Sequence, residues 1–436
     1  MARGFSRAWT RVAIGALALA LSGCRKAPVE EGRAAPSMEK PAVVTHPPGE
    51  PGHPPAAAAQ PADAGPVAND VRYGPWLLNV GTNTVTVAWS SRNEHAGRIV
   101  YGEAKPDHAA VEPAPRLEHR VVLDGLLPGK KYQYRLEGAH PPHQGTFWTA
   151  PAGDGARQPF RVLIYGDNRS NPGAHAEVVK AARAEGARLA LHTGDMVLDA
   201  NKEELWASWF DVEKELLAST PIAATVGNHE ITDRGVHYSA HFQTPSLPPY
   251  RSFDYGPLHV VILDSFELVT TGPQPREGNI SEAQAAWLEQ DLKAVPPGKH
   301  VWVLVHQGPF SHPLAHGHGG SDRVRQVLQP FKDKIEGVFA GHDHYYERGR
   351  NGGLRYFVVG GGGAPLYEPN PTAPGVQVAV KSLSYAVIDV CGCHADGVVK
   401  DPAGKVLDKF QLATCPQACE PSSPQAAAGG SEGGSK

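Results

Sequence analysis

Charge of either sign is nearly cancelled in this chain: 41 Lys and Arg stand against 45 Asp and Glu, a formal net charge of -4. Without a basic excess there is little to pair with a phosphate backbone, which argues against a dedicated nucleic-acid binder. Cysteine is scarce, five in 436 residues. The apolar run near the start, Val12 to Leu21, is too short to span a bilayer. What is present is 41% apolar and 8% aromatic residues over 436 positions, ample for a large core and for more than one domain.

Residues 1–24 have the features of a targeting segment. Arg3, Arg7 and Arg11 precede the apolar run, and Leu21-Ser22-Gly23-Cys24 closes it. That ending resembles a bacterial lipobox. It implies a lipidated Cys24 that anchors the chain to a membrane without spanning it, in an exported lipoprotein of the periplasm, outer membrane or cell surface. An ordinary secretory signal is the alternative. Residues 25–69 are Pro, Ala and Gly with scattered charge and no apolar period, the composition of a disordered tether. Near the other end, Cys391, Cys393, Cys415 and Cys419 form an even set. After export these predict two disulfides with three possible connectivities, a structural zinc site being the alternative. They lead into a largely disordered tail over 414–436.

Between these ends the pattern changes once. Over 70–151 short strands follow one another without a helix: Thr84 to Ser90 alternates, Arg98 to Gly102 and His119 to Leu123 follow, and Leu126 to Gly129 supplies a turn before Tyr132 to Leu136. This is the pattern of a β-sandwich. Over 158–413, apolar runs such as Phe160 to Tyr165, Arg188 to His192 and His300 to Val305 alternate with helical stretches near 174–187, 202–218 and 322–328. Ser281-Glu282-Ala283-Gln284 opens a further helix as a capping box. Strand and helix in alternation predict an α/β layered domain, whose sites lie beyond the carboxyl ends of the strands.

Those ends carry a common chemistry. The runs finish in Gly166-Asp167-Asn168-Arg169, Gly194-Asp195, Gly227-Asn228-His229-Glu230, His306 and Gly341-His342-Asp343-His344. Five strand ends bearing Asp, Asp, Asn-His, His and His-x-His are hard to explain as ion pairs or turns. Carboxylate, amide and imidazole without thiolate suit Fe, Zn or Mn. Two such ions sharing a carboxylate sit roughly 3.5–4 Å apart and clamp the attacking and leaving oxygens of an in-line displacement.

The order of these motifs resembles the calcineurin-like metallophosphoesterases. Ahead of them, Leu127-Pro128-Gly129-Lys130-Lys131-Tyr132 is similar to a fibronectin type III domain, and the Tyr346-Glu347-Arg348 extension is similar to the purple acid phosphatase branch. The resemblance implies a four-layer αββα sandwich behind a small all-β fibronectin type III-like domain. It implies that Asp195 bridges two ions, that Asn228, His306 and His342 complete one site, and that Asp167 and His344 serve the other. His229 would then stand near the leaving-group oxygen. Two positions depart from the family pattern. Leu198 stands where the purple branch has the tyrosine that colours its iron, and Arg169 stands where other members have histidine. The first ion would thus be one protein ligand short and the tyrosinate colour absent; His175 and His192 are weak candidates for the gap. Arg169 would present a planar fork to the substrate phosphate or pair with a carboxylate. His312 and His316, in a glycine-rich run, would line the mouth and donate to the leaving group, or belong to a solvated loop. Gly360 to Gly363 would form a tight turn or cradle an anion.

The expected activity is hydrolysis of a small phosphomonoester by a metal-bound hydroxide attacking in line. A phosphodiesterase or nucleotidase on the same residues is the nearest alternative. A surface metal-binding or adhesion protein with a weakened site is the alternative from another class.

Overall fold

The computed structural model describes residues 70–139, 141–153, 158–242, 248–267 and 277–413. The expectations for residues 1–69, including Cys24, and for 414–436, including Cys415 and Cys419, fall outside these residues. Cys391 and Cys393 are each disulfide-bonded.

The first described unit is all β. Strands β1 (Val71–Leu78), β2 (Val85–His95), β3 (Arg98–Gly102), β4 (His108–Val111), β5 (Arg116–Leu123), β6 (Lys131–Leu136) and β7 (Gln144–Trp148) form two antiparallel sheets, β1-β2-β5 and β4-β3-β6-β7. The alternation in Thr84 to Ser90 predicts a half-buried strand, but Val85 to Ser91 are all buried. The reason is a second covered face. Ala88 pairs across from Trp76, whose indole N–H donates to the His241 carbonyl (3.0 Å), and Tyr73 stacks on Phe210 at 4.5 Å. The sandwich is therefore packed onto the following domain through its first sheet.

That domain comprises β8 (Phe160–Tyr165), α1 (Pro172–Ala184), β9 (Leu189–His192), α2 (Glu203–Leu217), β10 (Ile222–Ala224), α3 (Val236–Phe242), β11 (Arg251–Tyr255), β12 (Leu258–Ile262), α4 (Glu282–Ala294), β13 (His300–Leu304), α5 (Asp322–Leu328) and β14 (Gly337–Ala340). It is completed by β15 (Tyr346–Asn351), β16 (Leu354–Val359), β17 (Val376–Val380), β18 (Tyr385–Cys391), β19 (His394–Lys400) and β20 (Val406–Ala413). One sheet runs β10-β9-β8-β18-β19-β20 and the other β11-β12-β13-β14-β16-β15-β17.

Period-2 alternation explains the layering. Along the second sheet, Ile262, Trp302, Leu304 and Phe339 join the core shared with Leu163 and Leu191 of the first sheet. Their neighbours Val261, Val303 and Val338 join a separate core with Leu288 and Leu292 of α4 and Val324 and Leu328 of α5. The outer side of the first sheet is covered by α1 and α2, whose Val178, Ala182 and Trp209 are buried. Two sheets face each other with helices outside, the four-layer arrangement implied above. The capping box forms by half: Ser281 Oγ accepts from Gln284 N at 3.1 Å, but the Gln284 side chain instead accepts from Asp264 N and donates to Asp264 O.

Register decides where the site falls. In the parallel trio Tyr165 lies beside His192 and His192 beside Ala224, so the chains following β8, β9 and β10 leave at one level. In the facing sheet Leu304 lies beside Phe339, so those following β13 and β14 also leave together.

Candidate metal centre

Asp167, Asp195, Asn228, His306, His342 and His344 all leave the carboxyl ends of these strands, three from each sheet. The loops that carry them are stitched together by backbone bonds, Asp167 N to Gly194 O (2.9 Å) and Gly341 N to His306 O (3.0 Å). His342 N donates to Asp167 Oδ1 at 2.9 Å and so ties one sheet to the other. Asp167, Asp195 and His342 have φ of 59°, 57° and 72°, a left-handed backbone that costs a residue with a Cβ roughly 1–3 kcal/mol. Such strain at three neighbouring polar residues marks a site whose side-chain directions matter more than local comfort. Glycine makes the approach possible: a Cβ on Gly341 would stand 2.2 Å from Asp167 Oδ2, and one on Gly227 would stand 2.3 Å from Asp195 Oδ1.

Two buried acids organise the loops from behind. Glu230, fully buried, accepts from the N–H groups of Asp195, Met196 and Gly227, each at 2.8 Å, so one carboxylate sets both the Asp195 and Asn228 loops. Burial first, and the charge of Asp195 second, push its carboxyl up to about 8. Asp343 accepts from His318 N (2.7 Å), Gly319 N (3.0 Å) and Ser311 Oγ (2.5 Å), which ties the glycine-rich loop 311–320 to the ligand turn.

The candidate ligand atoms fall into two sets that share Asp195. His306 donates Nδ1–H to Thr193 O at 2.6 Å, leaving its Nε2 lone pair free. His342 donates Nε2–H to Glu277 Oε1 at 2.8 Å, leaving Nδ1 free. These two lone pairs face each other at 3.1 Å, with Asn228 Oδ1 3.1 Å and Asp195 Oδ1 3.3 Å from His306 Nε2. Three further acceptors thus surround His306 Nε2 with no side-chain donor among them, the one donor being the His229 N–H on Asp195 Oδ1 at 3.1 Å, an arrangement a cation satisfies. In the other set, His344 donates Nδ1–H to Pro365 O at 2.8 Å and turns Nε2 toward Asp167 Oδ1 at 3.7 Å. Tyr367 stacks on this imidazole at 4.2 Å and fixes its plane. Asp167 Oδ2 is buried with no partner among the described residues.

Burial lowers the affinity of the His306, His342 and His344 rings for protons, His344 down to about 4 with Arg169 adding to the effect. Burial, then the charge of Asp195, push Asp167 well above the usual carboxylate range. Burial opposes ionisation of Asp195 as well, but His306, His229, Arg169 and His342 around it hold its carboxyl well below that range. Neutral imidazoles and a carboxylate in want of a counter-charge are the state in which a metal binds.

The other candidates are distributed unevenly. His229 donates from Nδ1 to the Leu198 carbonyl at 2.6 Å and holds Nε2 3.8 Å from Asp195 Oδ2, with its side chain 21% exposed. Leu198 therefore serves through its backbone while its side chain faces solvent. Arg169 donates Nε to Asp195 Oδ2 at 3.1 Å and Nη2 to His344 Nε2 at 3.3 Å, which is the carboxylate-pairing alternative. His175 and His192 do not fill the gap: His175 Nε2 bonds Glu213 at 2.7 Å, and His192 accepts from Gly194 N and bonds the Asn168 side chain. His312 turns Nδ1 to Glu347 at 2.7 Å, and His316 is exposed. Within this loop it is His318, passed over in the sequence, that reaches the ligands, its ring 3.9 Å from His342 and its Nδ1 2.9 Å from Glu277. The run Gly360 to Gly363 packs on the Asp167 loop, Gly362 N donating to Gly166 O at 3.0 Å, so it is a turn rather than a cradle.

Glu277 carries no signal in the sequence, since an isolated acid in a loop has no period or motif around it. Its place behind His342 gives a direct expectation. Carboxylates that fix the tautomer of a ligating imidazole typically change metal affinity about 10–100-fold when removed. Glu277→Gln should weaken ion retention within that range in a chelator competition, with thermal unfolding of the metal-free chain unchanged because Glu277 is about half exposed. Equal retention in both proteins would show that Glu277 does not position His342.

Strained polar turns at the carboxyl ends of two facing sheets, converging on a set of N and O acceptors, make a candidate metal site in an α/β protein. Comparison with known proteins narrows the class. Residues 160–346 match the family model of the calcineurin-like phosphoesterases, and through this domain the chain is similar to that family. It is 28% identical to purple acid phosphatase 21 of Arabidopsis thaliana over 247 residues, covering 53% of this chain and 53% of that protein. It is likewise 28% identical to the phosphoenolpyruvate phosphatase of Allium cepa over 280 residues, covering 59% and 55%. The chain spans about half the length of these two relatives. The fold is that of the purple acid phosphatase PPD1 from yellow lupin seeds, with a TM-score of 0.65 at 20% identity, covering 80% of this chain and 77% of that one. The leading β-sandwich fits a fibronectin type III-like domain.

Proposed function

We propose that this protein is a metal-dependent phosphoester hydrolase acting on small phosphomonoesters. The observation that carries the reading is the meeting of Asp195 Oδ1, Asn228 Oδ1, His306 Nε2 and His342 Nδ1 with no side-chain donor among them. Those four would hold an ion, and Asp167, Asp195 and His344 offer acceptors for a second. The all-nitrogen-and-oxygen donor set suits Fe, Zn or Mn. When bound, such ions supply Lewis acidity toward a phosphoryl oxygen and toward water.

The remaining work falls to side chains of this chain. Asp195 presents one oxygen to each set and so would fix their spacing. His229, held through Nδ1 by the Leu198 carbonyl with Nε2 turned toward Asp195 Oδ2 at 3.8 Å, is placed to meet the departing oxygen. His318, rather than His312 or His316, flanks His342 at the rim and would meet the leaving group. Monoester hydrolysis is favoured over diester hydrolysis by the names of the relatives, which are phosphatases.

The test is a panel of chromogenic monoesters and diesters with the full chain, supplied in turn with Mn, Zn and Fe. Monoester turnover that a chelator abolishes and metal restores is expected. Faster diester turnover would move the assignment to a phosphodiesterase, and no turnover with any ion would remove it.

A further inference from the structure

The two acceptor sets differ in what faces them. The set formed by Asn228, His306, His342 and Asp195 Oδ1 is met by no cationic side chain, its one donor being the His229 backbone N–H on Asp195 Oδ1 at 3.1 Å. The set formed by Asp167, His344 and Asp195 Oδ2 is met by the guanidinium of Arg169, which offers donors and no acceptor. Its Nε takes Asp195 Oδ2 and its Nη2 takes His344 Nε2, while Nη1 rests 3.3 Å from Ser170 Oγ. Only 12% of its side chain is exposed, so this is a seated residue rather than a stray surface arm. Of that set, only Asp167 Oδ2 is left without a partner among the described residues.

We propose that Arg169 is a built-in competitor of the first ion: guanidinium and cation are alternative occupants of the Asp167–Asp195–His344 position. The inference rests on the phosphoesterase reading only for the presence of ions at these residues. Its reason is elementary. His344 Nε2 has one lone pair and can serve the N–H of Arg169 or a metal, not both. A divalent ion there would also meet a fixed positive charge at contact distance in a site shielded from water. The two positions must therefore fill in sequence. The Asn228–His306–His342 position fills first, and the second ion enters only as Arg169 withdraws from Asp195 and His344. A resting chain would hold one ion tightly, with Arg169 supplying the positive charge on the other side of Asp195.

The test is calorimetric titration of the chelator-stripped full chain with Mn²⁺. The wild type should show two unequal classes of site. Arg169→Ala and Arg169→His should tighten the weaker class by about tenfold or more while leaving the tighter class within about threefold. Electron paramagnetic resonance should then show coupled Mn pairs at lower total Mn in the variants than in the wild type. An unchanged or weakened second class in both variants would overturn the proposal, as would two equal classes in the wild type. Should the variants fail to fold, the wild type still decides: the arginine Nε–H resonance of Arg169 should shift at the second equivalent of a diamagnetic ion, Zn²⁺, and its indifference there would overturn the proposal. Tightened binding without hydrolysis of any phosphoester would keep this inference and remove the proposed function, whereas hydrolysis with unaltered affinities would do the reverse.

Discussion

Asp195→Asn should lose phosphoester turnover by about three orders of magnitude and fail to retain metal at either position. Both consequences follow from one carboxylate. Its Oδ1 stands 3.3 Å from His306 Nε2 among the first set of acceptors, and its Oδ2 stands 3.1 Å from Arg169 Nε on the opposite side. An amide cannot reproduce this. With its NH₂ toward Arg169, Asn would set two donors against each other; with its NH₂ toward His306, it would offer an N–H where an ion needs an oxygen; either way the negative charge that balances an ion is gone. Lewis-acid stabilisation of a phosphoryl transition state contributes several kcal/mol, and each 1.36 kcal/mol is a factor of ten in rate. Elemental analysis and kcat/KM on a phosphomonoester read the two effects together, with circular dichroism as the check on folding. A variant that keeps its full ion content and turns over within tenfold of the parent would mean that Asp195 is not the shared ligand.

The second large effect lies away from the site, where the sandwich meets the α/β domain. Lowering the pH should destabilise the protein through His241. This residue is 2% exposed, boxed by Trp76, Trp206, Phe210 and Tyr73 with ring centroids 5.1–5.9 Å away. Neither ring nitrogen has a partner among the described residues. Burial first, then the neighbouring His237, Arg120 and Arg72, bring its imidazole down from 6.5 to about 3. The sign follows from which state takes the proton. Above 6.5 neither state holds it. Between 6.5 and about 3 the unfolded chain protonates and the folded chain does not, so stability falls by at most about 1.4 kcal/mol per pH unit. By pH 4.5 that amounts to roughly 3 kcal/mol, and below about 3 this contribution levels off. Denaturant unfolding of the parent and of His241→Phe at pH 7 and pH 4.5 measures it. The parent should lose about 3 kcal/mol more than the variant between the two conditions, and parallel losses would assign acid sensitivity to other groups.

Much of the site is legible in the sequence. The strand ends of the α/β domain were readable because buried parallel strands are continuous apolar runs, and a polar residue closing each one is a local signal. The fold class followed from the same alternation. The side chains at Asp167, Asp195, Asn228, His306, His342 and His344 do lie at one rim, because parallel register brings the ends of separate strands to a common level. Other features could not be read. Glu277 and His318 meet His342 across loops with no period, and the choice of His318 over His316 depends on how Asp343 pins the loop backbone. The burial of both faces of β2 was invisible because it is created by another domain.

The chain by itself determined which residue types stand at the ends of its strands, and with them the class of chemistry, since one-dimensional pattern records burial and local polarity. Tertiary structure decided which nitrogen of each imidazole is free, which acceptors lack a donor, and that Arg169 rather than a further ligand faces Asp195 and His344. Those are relations between atoms distant in the chain, fixed by hydrogen bonds and packing that no run of neighbouring residues encodes.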